Sequence, residues 1–183
     1  MDLENENNYL EIDKLHIAGH QIDSAIHLFF TTLDHVSVLT LSAAAWRVLS
    51  DILAEESIRH KIIELFEGRF DRTEVRDSLN KLPNFCKHAD KENERNFHAK
   101  EKFYIPYIEN CLMYAIQDFS RVNEMSQQMK IFNLWHISKY RNFYQKNEYE
   151  LFYVQAIEVF PNLPNLSDKE QRICGQIELL KLS

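Results

Sequence analysis

The seventeen residues from Val38 to Ala54, VLTLSAAAWRVLSDILA, contain neither glycine nor proline, and their polar members crowd onto one stripe. At about 100° per residue, Thr40, Arg47, Ser50 and Asp51 fall within a narrow arc, while Val38, Leu39, Leu41, Trp46, Val48, Leu49, Ile52 and Leu53 take the rest. A helix apolar over most of its circumference has to be covered by its neighbours, so residues 38–54 are the predicted central helix. Ser37 is its expected N-cap, and the triplet Ala43–Ala45 leaves room for a neighbouring helix to approach closely. The rest of the chain is equally short of turn-formers. Three glycines and four prolines in 183 residues lie far below the usual roughly 7% and 5%, and a sheet-rich fold needs more of both at its turns. The expectation is an all-α bundle of about seven helices in a single domain, residues 1–183, with residues 1–9 as a disordered tail.

Three- and four-residue apolar steps recur along the chain. Leu15, Ala18, Ile22, Ala25, Ile26 and Phe29 mark a first helix between Leu10 and Phe30. Ser57 to Phe66 reads as a shorter helix, with Gly68 placed to end it in the left-handed conformation. Asp71 and Glu74 resemble a capping box for the next helix, which Pro83 should limit. Asn84 to Lys102, dense in mixed charge, reads as a helical turn or two followed by an exposed loop. Pro106 suits the first turn of a helix reaching about Glu124, and further helices are expected over Ser126–Phe143 and Glu148–Phe160. Ser167 and Glu170 form the S-x-x-E box of a last helix, with Ile173, Ile177 and Leu180 on one face.

A net charge of −7 at pH 7 argues against a chain-wide electrostatic hold on nucleic acid or anionic membrane and leaves room only for a local basic patch. Cys86, Cys111 and Cys174 stand far apart without C-x-x-C spacing, so they read as free thiols of a reducing compartment. The acidic start MDLENENNYLEID lacks the basic and apolar regions of a secretory signal. No run approaches roughly 18 uninterrupted apolar residues, so a cytoplasmic protein without a membrane span is expected.

Three groups of residues carry chemical potential. His16, His20, Asp23 and His27 follow at steps of four, three and four, which is metal-ligand spacing on a helix face. That stripe is about 16 Å long at 1.5 Å per residue, so only one adjacent pair could share an ion. It also lies away from the apolar stripe. A solvated face is the preferred reading, and no metal or other cofactor is expected. The second group, Asn84 to Asp90 (NFCKHAD), places an amide, a thiol, an amine, an imidazole and a carboxylate together. His88 could serve as a general base, and Lys87 and Asn84 could hold a phosphate or an oxyanion. The competing reading has Phe85 and Ala89 anchor a short helix whose ends Asn84 and His88 satisfy. Third, the acid-free segment Met125 to Asn147 sets Lys130, Lys139, Arg141 and Lys146 among Phe132, Trp135, Tyr140, Phe143 and Tyr144. This pattern could contact RNA by stacking and phosphate pairing, but a protein interface ranks above it, since aromatic enrichment also marks contact surfaces.

The order HQIDSAIHLFF (residues 20–30), VLTLSAAAWRVL (38–49) and NFCKHAD (84–90) resembles a small family of bacterial helical proteins with an N-F-F-K-H-A-D-like segment. The resemblance covers residues 15–91 and implies the helical fold and a bacterial origin. The architecture is also distantly similar to the HEPN superfamily, helical bundles of toxin–antitoxin, phage-defence and RNA-processing systems. Its ribonucleases carry an arginine followed after four to six residues by a histidine. Here Arg95 precedes His98 by three and Arg76 precedes His88 by twelve, so that motif does not carry over.

The reading that emerges is a non-enzymatic, self-associating interaction module, most simply a homodimer. The alternative is an RNA-directed, HEPN-like protein with Asn84, Lys87 and His88 as its polar centre, possessing a divergent or inactive site.

Overall fold

Short polar side chains decide where the helices begin. The Asp13 carboxylate accepts the amides of Leu15 (3.3 Å) and His16 (3.0 Å) and opens α1, Lys14–Thr31. Asp34, not Ser37, caps α2, His35–Leu53: its carboxylate takes the Ser37 amide at 3.1 Å and the Ser37 hydroxyl at 2.5 Å. The Asp34 carboxylate caps a first-turn amide and takes the Ser37 hydroxyl as a donor, so the helix starts about a turn earlier than expected. Ser126 caps α6, Gln127–Lys139, by accepting the Met129 amide at 3.1 Å. The Ser167/Glu170 box opens α8, Asp168–Leu180, with Ser167 N to Glu170 Oε2 at 2.9 Å and Glu170 N to Ser167 Oγ at 3.4 Å. Between these lie α3 (Ile58–Phe66), α4 (Arg72–Lys87), α5 (Glu101–Phe119) and α7 (Lys146–Val159). Short 3-10 turns occupy Ala54–Glu56 and Leu163–Asn165.

The structure, a computed structural model, describes residues 12–32, 34–66, 68–87, 101–144 and 146–182. Among the described residues there is no strand, and eight helices form where about seven were expected, the short one at Ile58–Phe66 standing where Ser57–Phe66 was read. The all-α bundle is therefore as the glycine and proline counts require. Residues 1–9 and 88–100, which include the expected tail and most of the expected loop, lie outside the described residues.

The central helix occupies its expected place. Helix α2 packs against α1 and α5 and is also touched by α3 and α4, while α6 rests on α1 and α5 and carries α7 and α8. Val38, Leu39, Ala45, Trp46 and Leu49 of α2 are buried with Ile22, Ile26 and Phe29 of α1 and Ile108, Leu112 and Ile116 of α5. Arg47 and Asp51 face solvent as the polar stripe demands. Ser50 instead turns inward and donates to the Trp46 carbonyl at 2.7 Å, and Ile52 takes the outer position. By length and composition alone His35–Glu56 suffices to cross a membrane, which qualifies the expectation drawn from uninterrupted apolar runs; here the segment is the core helix. Phe29, Phe30, Phe132 and Trp135 meet with ring centroids 5.1 to 5.9 Å apart and join α1 to α6. Gly175 brings α8 onto this cluster, since a Cβ there would come within 2.0 Å of the Phe30 ring.

Pro83 and Pro106 sit inside helices rather than at the expected boundaries. Pro106 is six residues into α5, which begins at Glu101 and ends at Phe119, earlier than Glu124. Pro83 lies within α4. Proline has no N–H to give the carbonyl four residues back, here that of Leu79. The Tyr107 hydroxyl supplies the missing donor, bonding Leu79 O at 2.9 Å. The helix therefore continues to Lys87. Gly68 does not adopt positive φ; among the described residues only Ala54 does, at φ 49° and ψ −119°, where the chain leaves α2.

Candidate functional site

One buried carboxylate arranges the junction of α2, α3 and α5. Asp118 accepts the Ile58 amide at 2.9 Å on one oxygen and the Trp46 indole N–H at 3.0 Å on the other. It thereby fixes the first turn of α3 against α2. Burial pushes the Asp118 pKa up, against the pull of these two donors. Arg59, one residue into that turn, is only 7% exposed. Its guanidinium lies 5.3 Å from the centroid of the Trp46 ring and donates to Asn80 Oδ1 on α4.

Around Arg59 opens a cavity of about 220 Å³ between α2, α3 and α4, lined by Ala43, Trp46, Arg47, Arg59, Leu79, Asn80, Pro83 and Asn84. Asn80 and Asn84 are one turn apart on α4 and so share a face. Asn84 is exposed at the mouth. Arg47, whose side chain is 55% exposed, is held through Nε by Asp51 at 3.2 Å. Among the described residues no carboxylate forms an ion pair with Arg59. Burial, reinforced by Arg47, pushes its pKa down, yet a guanidinium stays charged in any protein. The cavity is therefore cationic and rich in donors.

A second polar cluster lies beneath α6. Glu109, 1% exposed, accepts Lys139 Nζ at 2.9 Å and the Tyr140 hydroxyl at 2.5 Å. Lys139 also reaches Asp168 at 3.3 Å and sits over the rings of Trp135 (5.1 Å) and Tyr140 (5.4 Å). Burial raises the Glu109 pKa, opposed by Lys139 and Tyr140. His136 stands between Tyr144 Oη, 2.7 Å from Nδ1, and Asn110 Oδ1, 3.2 Å from Nε2. An amide oxygen only accepts, so Nε2 carries the proton and Nδ1 accepts from Tyr144. Burial, with Lys139 nearby, pushes the His136 pKa down to about 3, leaving a neutral ring. These groups satisfy one another and pin α5 to α6 and α8.

The residues singled out in the sequence are dispersed. Asn84 joins the cationic cavity; Lys87 ends α4, with its side chain outside the description; His88 lies outside the described residues. Lys139 is committed to Glu109 and Asp168, Lys130 is exposed, Arg141 is half-buried in the turn after α6, and Lys146 opens α7, its side chain outside the description. His16 and His20 touch through their Nε2 atoms at 2.9 Å, His27 is exposed, and Asp23 accepts from the Ser126 hydroxyl at 2.6 Å. No group of three or more metal-ligating side chains forms among the described residues. Ile173, Ile177 and Leu180 face outward from α8.

Arg59, Asn80, Glu109, Asp118 and His136 escaped the sequence reading. A signal existed for three of them. Arg59 shares its helix face with Ile62 and Ile63, Glu109 with Leu112 and Met113, and Asp118 with Ala115. A charge on an apolar stripe is a charge destined for burial. No family model matches the chain, and neither curated proteins nor solved structures provide a match to it.

Proposed function

We propose that the protein is a non-enzymatic interaction module of a bacterial cytoplasm that pairs with a second copy of itself through the outer face of α8. The carrying observation is the row Ile173, Ile177 and Leu180, 42%, 51% and 65% exposed at positions i, i+4 and i+7 of one helix. Burying such side chains releases about 1.5–3 kcal/mol each when complete, and a two-fold axis counts every contact twice. The helix dipoles suit an antiparallel pairing. Two antiparallel copies of α8 place the positive end of each helix dipole beside the negative end of the other.

Sedimentation velocity over a micromolar concentration series tests the reading. A concentration-dependent dimer is expected for the wild type and a monomer with unchanged helical content for Ile177→Glu. A wild-type chain that stays monomeric throughout overturns it.

A further inference from the structure

We propose that the cleft between α2, α3 and α4 is a binding site for a phosphate group, with Arg59 at its floor and Arg47, Asn80 and Asn84 as further donors. Nothing in this proposal depends on the α8 pairing.

Arg59 carries an unbalanced charge. Arg59 is more than nine-tenths buried, cannot shed its proton, and meets no carboxylate among the described residues. Its only partners there are a neutral carboxamide and the Trp46 ring. A buried ion is unfavourable unless paired, and here the missing partner is an anion. Beside Arg59 lies open space of about 220 Å³. That is smaller than the roughly 300–1,000 Å³ of sites enclosing drug-sized ligands, and it suits a small oxyanion or the phosphate end of a larger molecule.

The other polar groups point to the same ligand. Asn80 gives its Oδ1 to Arg59, so only its NH₂ remains to face the cleft. Asn84 presents a second carboxamide one turn further along α4. Asp51 engages Arg47 through Nε, which leaves the terminal NH₂ groups of that guanidinium available at the rim. Two guanidinium groups and two amides from three helices make a set of donors around one cavity. A tetrahedral phosphate offers enough oxygens to engage donors from all three helices together and supplies the charge that Arg59 lacks, whereas a planar carboxylate has only two oxygens.

Isothermal titration calorimetry on the full chain tests this with three probes: inorganic phosphate, adenosine monophosphate and a short single-stranded oligoribonucleotide, each against chloride at matched ionic strength. One phosphate group bound per chain is expected. Arg47→Gln and Asn84→Ala, both at exposed positions, should each weaken binding about tenfold, and Arg59→Gln should abolish it. Should Arg59→Gln fail to fold, the two rim variants decide. Tightest binding of the mononucleotide identifies a free phosphomonoester as the source. Saturable oligoribonucleotide binding that the same variants weaken identifies a nucleic-acid backbone. No saturable heat from any probe at millimolar concentration, or unchanged affinity in both rim variants, overturns the proposal.

Discussion

Removing the Tyr107 hydroxyl should destabilise the protein far more than the loss of one surface hydrogen bond, because of what Pro83 does to α4. The Leu79 carbonyl has no helical donor, since residue 83 is proline, and the Tyr107 hydroxyl at 2.9 Å takes that role. Tyr107→Phe leaves this acceptor without either partner in a half-buried setting, a loss of about 1–3 kcal/mol. At about 2–4 °C per kcal/mol for a domain of this size, a mid-range loss lowers Tm by about 4–8 °C. Pro83→Ala restores a backbone N–H that can bond Leu79, so Tyr107→Phe should be milder in that background by about 1 kcal/mol or more. Urea titrations of the four proteins, with m-values compared to confirm a common unfolding transition, measure the coupling. An equal loss in both backgrounds would refute the assignment of Tyr107 as the surrogate donor.

Three further perturbations probe separate parts of the fold. Ala54→Gly should stabilise the protein by about 0.5–1 kcal/mol, because relief of the positive φ, worth about 1–2 kcal/mol, exceeds the entropic penalty of glycine; a lower urea midpoint would contradict it. Gly175→Ala drives a methyl into the Phe30 ring and should cost about 1–3 kcal/mol, whereas Gly68→Ala, with nothing within 4 Å, should leave the thermal midpoint nearly unchanged. Finally, the His136 pKa falls from its ordinary 6.5 to about 3 in the fold, so the unfolded chain binds the extra proton. Its contribution is complete above pH 6.5 and declines as pH falls below that value, by up to about 1.4 kcal/mol per unit. Glu109 works in the opposite sense: its raised pKa favours the protonated fold, a contribution lost as pH rises above the ordinary carboxyl range. Urea midpoints at pH 7 and pH 5 should therefore converge in His136→Gln; identical pH dependence in variant and wild type would count against a buried neutral ring.

The bundle was legible in the sequence where a local rule had no competitor. Apolar spacing located the buried face of α1, and the Ser167/Glu170 pair opened α8 where its side chains allow both reciprocal bonds. The rules failed where a distant group could override them. Pro83 should end a helix, but Tyr107, 24 positions later in the sequence, satisfies the carbonyl that proline strands. Ser37 is a sound cap until Asp34 caps the first turn and takes the Ser37 hydroxyl as a donor. The face of α8 that carries Ile173, Ile177 and Leu180 was visible as a stripe, but its side was not, because Gly175 and Gln171 bring the opposite surface onto the core.

The candidate site was less legible because its members are brought together only by tertiary packing. Arg59 and Asn80 are 21 residues apart, Trp46 and Asp118 are 72 apart, and Lys139 and Glu109 are 30 apart. A charge interrupting an apolar stripe forecasts its own burial, but not whether the fold supplies an opposite charge. That second condition separates a structural pair from a binding site. Glu109 and Lys139 meet each other beneath α6, so their burial is compensated within the chain. Arg59 is brought to Trp46 and Asn80 instead, and the same desolvation is left for a ligand to offset. The two clusters therefore differ in their response to phosphate: it should stabilise the fold through the Arg59 cleft and leave the Glu109 cluster indifferent, so that Arg47→Gln, remote from Glu109 in the chain and exposed, should remove most of the phosphate-dependent rise in Tm while changing the stability in chloride by no more than about 1 kcal/mol.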